Sequence, residues 1–257
     1  MIRVKDICNF LNEIMPFSYA ESWDNSGLLA GDPEAEVTSV MTCLDITAAA
    51  AEEAAELGAQ LVVSHHPVIF DPLKKITAGD PVYKLIRNGV SAICSHTCAD
   101  AAGCGTNGIV YELLKDKLSL GEKTFIEPVG EDAGVGWICG CAPIMPDVLA
   151  GKLREVFGGR IKYTSAEKPI TKLGFCSGSG GSLAGFAAES GCGGYITGDV
   201  KHDVFVFAEN RGLSLFDCGH YETEIFFAGK TAEYISDRFP ALNVFVSKAG
   251  KDYIRYL

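Results

Sequence analysis

Positive charge is scarce in this 257-residue chain: 22 lysines and arginines stand against 33 aspartates and glutamates, a formal net charge of −11. Duplex nucleic acid and anionic membrane surfaces both select a basic footprint, so neither is expected as the main partner. The acidic balance favours solubility and still allows an anionic small molecule held through bound metal. Long apolar runs are also missing. None approaches the roughly 20 residues of a spanning helix. The first residues, MIRVKDICNFLNEIMPF, read as an amphipathic helix with charges inside it, not as a secretory leader. Cys-x-x-Cys does not occur, and ten cysteines in 257 residues are too sparse for a disulfide framework. Cys43, Cys94, Cys139 and Cys176 lie in apolar, strand-like runs, where a reduced cysteine acts as a small hydrophobe. A reducing, cytoplasmic setting is the expectation. No low-complexity linker interrupts the chain, and 47% apolar with 21% charged residues excludes a disordered protein.

What is present is an alternation of strand and helix signals. VTSVMTCLD, AQLVVSHHP and GVSAICSH read as strands, separated by the helix formers TAAAAEEAAELG and DPVYKLIRNG, and TNGIVYELLKDKLS reads as a helix after them. A second series starts near residue 126. VGWICGCA, RIKYTS, KLGFCSG, GYITGD and LSLFDCG are its strands, with helices at MPDVLAGKLREVFG, SLAGFAAESG and VKHDVFVFAENRG. A long helix from about His220 to Phe239 and a strand, NVFVSKA, follow. SWDNSGLLAGDP is turn-rich, and EKTFIEPVGEDAG is the best candidate boundary. The expected fold is α/β: two interlinked three-layer units with mainly parallel sheets. The first would comprise residues 1–125 with 220–257, and the second residues 126–219.

Histidine is scarce too, and its placement is informative. Of five histidines, four stand in three clusters, each just after an apolar run. LVVSHHP carries His65 and His66, VSAICSHTCAD carries His96 and Asp100, and LSLFDCGHYETE carries His220 and Glu224. Ligands in open α/β sheets bind beyond the carboxyl ends of strands, where all three clusters fall. Pro67 stops the strand after His66, so the adjacent imidazoles can splay from that end. If the third segment is helical, His220 meets Glu224; if extended, it meets Glu222. Ile225, Ala228, Ala232, Ile235 and Phe239 form a helical stripe and favour Glu224. Imidazole with carboxylate suits Zn, Mn, Fe, Co or Ni, and no thiolate set of structural-zinc spacing exists. A pair of divalent ions would lower the pKa of a shared water and attract oxyanions, so hydrolysis needs no protein nucleophile.

Other segments have blander readings beside the functional one. SGSGGSL could cradle a phosphate with its amides, or simply turn from strand to helix. Trp23-Asp24-Asn25 could line a cavity, with an Asx-type turn and a packed indole as the preferred alternative. Asp45 is explained by N-capping the next helix. Cys98 and Cys218 are disfavoured as nucleophiles because no orienting third residue is evident. Glu222 and Asp199 are polar strand-end residues that could stand behind a ligand.

ESWDNSGLLAGDP, CLDIT, VVSHHPVIF, SHTCAD, YITGDVKH and DCGHYETE occur in this order over most of the chain. Together they resemble the Nif-three-like dinuclear metal-centre hexameric proteins, often named GTP cyclohydrolase 1 type 2 homologues, in their short form. The resemblance implies a Nif-three-like fold, a toroidal homohexamer built as a trimer of dimers, and two divalent metal ions per subunit. One ion would be held by His66 and Asp100, the other by His65 and His220, with Glu224 bridging and His96 beside them as a proton-transfer group. Two departures stand out: His202-Asp203 after TGDVK, and Gly108 after Asn107. The functional expectation is a metal-dependent hydrolase acting on a nucleotide-like or cyclic-amide or phosphoester small molecule. The alternative is a non-catalytic metal carrier, store or interaction scaffold.

Overall fold

A computed structural model describes residues 1–255. The chain opens with α1 (Val4–Ile14), β1 (Gly27–Ala30), β2 (Ser39–Cys43), α2 (Ala48–Glu56), β3 (Leu61–Ser64), α3 (Pro81–Arg87), β4 (Ser91–Cys94) and α4 (Thr97–Ala101). It continues with α5 (Thr106–Leu118), β5 (Thr124–Pro128), β6 (Gly134–Ile144), α6 (Pro146–Phe157), β7 (Lys162–Tyr163), β8 (Ile170–Phe175), α7 (Ala184–Glu189), β9 (Gly194–Thr197), α8 (His202–Arg211), β10 (Ser214–Asp217) and α9 (His220–Glu224). The last elements are α10 (Phe226–Arg238) and β11 (Asn243–Val246). Contacts divide the chain into two units: Met1–Ala99 with the chain from Phe227 onward, and the intervening Asp100–Phe226. These boundaries differ from the expected ones at residues 125 and 220. Val110, Tyr111, Leu114 and Leu118 of α5 pack with Trp137, Leu153 and Phe175, which draws that helix into the second unit. Phe226 packs against the same cluster.

The first unit's sheet has the order β1-β4-β3-β2-β11. All its pairs are parallel except β1 with β4. β2, β3 and β4 are buried along their whole length, as strands covered on both faces must be, and so they read as unbroken apolar runs. On one face Met41 and Val62 pack with Ala50, Ala54 and Leu85 of α2 and α3. Thr42 points the other way, and its hydroxyl donates to the Ala228 carbonyl of α10 at 2.8 Å. Thr47 caps α2 by accepting from Ala50 N at 3.1 Å. That leaves Asp45, expected as the cap, for another partner. β1 lies inside the SWDNSGLLAGDP stretch expected as turn. Four residues without clear alternation are too short for period-two patterning to register.

The second unit's sheet has the order β5-β6-β8-β9-β10-β7. Here the expectation of a mainly parallel sheet fails. β8, β9 and β10 are parallel, but β5–β6, β6–β8 and β10–β7 are antiparallel. The segment expected as a boundary, EKTFIEPVGEDAG, forms β5 and turns back onto β6, and a direct turn of that kind can only join antiparallel strands. Neighbouring residues serve opposite faces with the strand period of two. Ile196 and Phe216 join Trp137 and Phe175 beneath α5 and α6, while Tyr195 and Leu215 join Ala187 and Ala208 of α7 and α8. Trp137 stacks on Phe175, ring centroids 5.3 Å apart. The helix expected from His220 to Phe239 runs as α9 and α10, meeting at Ile225. No helix among the described residues is long and apolar enough to cross a membrane.

Candidate metal centre

In the first unit three parallel neighbours, β2, β3 and β4, end together, and each is followed by a polar residue: Asp45, then His65 and His66, then His96. β3 stops at Ser64, and the next two amides, His65 N and His66 N, both donate toward β2, to the Cys43 and Leu44 carbonyls at 3.3 and 2.9 Å. Strand alternation is thus broken, and the adjacent histidines are not forced to opposite faces. Their rings are 5.0 Å apart, and each lies within 5.6 Å of the His96 ring. One nitrogen from each of the three comes within 4.8 Å of the others, a group able to hold a metal ion. His65 is fully buried, with Phe227 packed on its ring at 5.0 Å.

Each imidazole is anchored at Nδ1. His65 Nδ1 bonds to the Ser95 carbonyl at 2.9 Å, His66 Nδ1 to Asp45 Oδ1 at 2.7 Å and His96 Nδ1 to Asp24 Oδ1 at 2.7 Å. A carbonyl or carboxylate oxygen can only accept, so the proton sits on Nδ1 and Nε2 is the atom that offers a lone pair. This is the arrangement by which outer partners orient and strengthen metal-ligating histidines. Asp24 has no exposed side-chain surface. Burial works to raise its pKa, but hydrogen bonds from His96, Thr97 and the Asn25 amide prevail and hold the carboxyl well below the usual range. Asp24 thus braces a histidine; the segment does turn, with Asp24 N donating to the Glu21 carbonyl, but the indole of Trp23 is exposed where a packed ring was expected.

In the second unit the carboxyl ends of the parallel strands β8, β9 and β10 carry Ser177 and Gly178, Asp199, and His220. His220 opens α9, so Glu224 lies one turn on, its Oε2 3.0 Å from His220 Nε2. Glu222 folds back over the turn: a Cβ at Gly219, where φ is +90°, would fall 2.0 Å from its Oε2. His220 Nδ1 is held by Asp199 Oδ2 at 2.8 Å, repeating the pattern of the first unit. Asp217, nearly buried, accepts from Gly219 N at 3.1 Å and Val200 N at 3.3 Å, tying together the two loops that carry His220 and Asp199. Asp100 accepts from the hydroxyls of Thr106 and Ser177, and its carboxylate comes within 4.8 Å of that of Glu224. Asn107 fixes this corner, donating to the Asp100 carbonyl and accepting from Ser177 N, both at 2.9 Å. Gly178 has φ +61°, and a Cβ there would lie 2.2 Å from Glu224 Oε1, so glycine makes room for that carboxylate.

Several expectations change here. Three amides of SGSGGSL are spent internally: Ser177 N on Asn107, Gly178 N on Thr223 Oγ1 and Gly180 N on Thr197 Oγ1. These three amides are not available to cradle a phosphate. Burial, then the nearby carboxylates Asp217 and Glu222, push the Cys218 thiol well above its ordinary range, the opposite of an activated nucleophile. His202 is exposed at the start of α8. Asp24 and Asp45 were read as turn and cap, and the roles of Asn107, Ser177 and Asp217 were not read at all. The available signal was position: Asp45, Asp199 and Asp217 each stand at the carboxyl end of a strand.

The Duf34/NIF3 (NGG1p interacting factor 3) family model matches residues 2–252. The chain belongs to the Duf34/NIF3 family. Among its relatives, the GTP cyclohydrolase 1 type 2 homolog of Clostridium perfringens is 29% identical over 265 residues, covering 100% of both chains. The GTP cyclohydrolase 1 type 2 of Helicobacter pylori strain 26695 is 34% identical over 242 residues, 91% of this chain and 92% of the relative. The crystal structure of a Bacillus cereus protein related to NIF3 superposes with a TM-score of 0.90 at 18% identity, covering 100% of this chain and 99% of the other. At such identity the likeness speaks for the fold alone. The Duf34/NIF3 fold is therefore what carries the two strand-end groups described above.

Proposed function

We propose that the chain is a metal-dependent hydrolase that holds two divalent ions with His65, His66, Asp100, His220 and Glu224 as protein ligands. The observation that supports this reading is the Nδ1 pattern: four histidines at strand ends each give Nδ1 to an oxygen acceptor 2.7–2.9 Å away, which reserves Nε2 for a ligand role. The donor types fit. Imidazole and carboxylate suit a borderline divalent cation such as Zn, Mn, Fe, Co or Ni. His220 Nε2 and Glu224 Oε2, 3.0 Å apart, can share either a proton or such a cation. Ions so held supply Lewis acidity and concentrated positive charge.

The protein's own part is orientation and proton transfer. Asp24 fixes the His96 ring, so that Nε2 is the end at which a proton is exchanged. The names of the relatives point to a nucleotide-like or cyclic-amide substrate, and a homohexamer in the cytoplasm completes the reading. Elemental analysis should find two divalent ions per chain in reconstituted protein. His65→Ala and Glu224→Ala should each lose metal while keeping the native circular dichroism spectrum. Full metal retention by both variants overturns the ligand assignment. Absence of turnover across nucleotides and phosphoesters with every candidate metal leaves a metal carrier instead of a hydrolase.

A further inference from the structure

Two large aromatic side chains beside the three-histidine group keep much of their surface in solvent: Trp23 is 58% exposed and Phe70 is 49% exposed. Their ring centroids are 5.9 Å apart with planes tilted by 49°, a wedge-shaped aromatic pair that still leaves about half of each side chain in solvent. Both rings also reach His96, at 6.2 Å and 6.3 Å, with interplanar angles of 75° and 77°. The backbone that mounts them is tied down. Asn25 Nδ2 donates to the Ile69 carbonyl at 2.6 Å, joining the Trp23 segment to the Phe70 segment. Glu21 N donates to Thr97 Oγ1 at 2.9 Å, and Asp24 N to the Glu21 carbonyl at 2.9 Å. Exposed aromatic area is costly in water. Here it is held in a fixed place against the residue best set up to move a proton.

We propose that Trp23 and Phe70 form a stacking platform for the planar ring of a neutral heteroaromatic substrate such as a purine or pterin. An aromatic face accepts any planar π-system with little demand on its substituents. A ring stacked parallel to either side chain stands at the same steep angle to His96, presenting its polar edge to the imidazole. The wedge thereby supplies the binding face that the histidines, with their nitrogens engaged, do not. This inference rests on the hydrolase reading for what happens to the ring once bound, and it adds the residues that would hold the ring of such a substrate.

The chain's two tryptophans make the test direct, because Trp137 is 1% exposed and reports only on the core. Titrating the full-length, metal-loaded protein with guanosine, adenosine or pterin should quench tryptophan emission saturably, while ribose should not. Trp23→Phe should abolish the response and leave the Trp137 emission in place. Phe70→Ala keeps the reporter and should weaken the affinity about tenfold, as loss of one stacking partner does. Metal content and molecular mass of Phe70→Ala should match the wild type. The proposal is overturned if no heteroaromatic probe quenches saturably, if ribose quenches equally, or if Phe70→Ala binds as tightly as wild type. A fall in the mass of Phe70→Ala overturns it too, marking the wedge as a contact between copies. Metal content measured on the same samples separates the two readings. Stacking without bound metal sinks the hydrolase and spares the platform, and bound metal without stacking does the reverse.

Discussion

At the scale of single residues, the strand-end histidines and carboxylates are set in place by a few neighbours. Gly178 is the sharpest case. Its φ of +61° disfavours any side chain, and a Cβ would meet Glu224 Oε1 at 2.2 Å. Gly178→Ala is therefore expected to displace Glu224, lower the metal content and destabilise the fold by about 1–3 kcal/mol. Elemental analysis with urea denaturation checks both effects, and a variant with wild-type metal and stability would contradict the geometry. Asp24, Asp45 and Asp199 act in a common way, each taking a histidine Nδ1–H. Removing such a partner typically costs about 10–100-fold in metal affinity. Asp45→Ala should show a loss of that size in a competition titration with a chelating dye, while the far-ultraviolet spectrum stays unchanged.

At the scale of elements, β11 is held to the first sheet from outside the ladder. Glu53 of α2 accepts from Ser247 Oγ at 2.5 Å, Lys248 N at 2.9 Å and Ala249 N at 3.0 Å, just past the end of β11. Burial opposes the ionised carboxylate, but these bonds outweigh it, so the pKa of Glu53 lies below its ordinary value. A pKa lower in the folded than in the unfolded state gives stability that is present above the unfolded value. That stability disappears as pH falls through the folded value. The denaturation midpoints of wild type and Glu53→Gln should therefore differ at neutral pH and converge as pH falls below about 4. A constant difference across that range would show that the Glu53 charge does not matter. The same scale explains why β5 was taken for a boundary. TFIEP is a short edge strand, mostly exposed and ending in proline, so its pattern is that of a connection.

At the scale of the whole molecule, metal binding and folding should be linked. A ligand that binds only the native state at 100 times its Kd adds about 2.7 kcal/mol. Added Mn, Co, Zn or Fe should raise the melting temperature of metal-stripped wild type and leave His65→Ala unmoved; an equal rise in both would show binding elsewhere. The strand–helix alternation and the clustering of four histidines after apolar runs were legible in the sequence, because buried parallel strands must be apolar and ligands must follow them. His220 could be matched to Glu224 for the same kind of reason, since the helical repeat acts over four residues. The unit boundaries, the antiparallel part of the second sheet and the edge strands β1 and β5 became visible only in the tertiary structure, because strand partners are chosen by packing between distant segments. The same holds for the site. That Asp24 faces His96, Asp45 faces His66 and Gly178 yields to Glu224 depends on contacts between residues 21 to 72 positions apart, over which no local periodicity reaches.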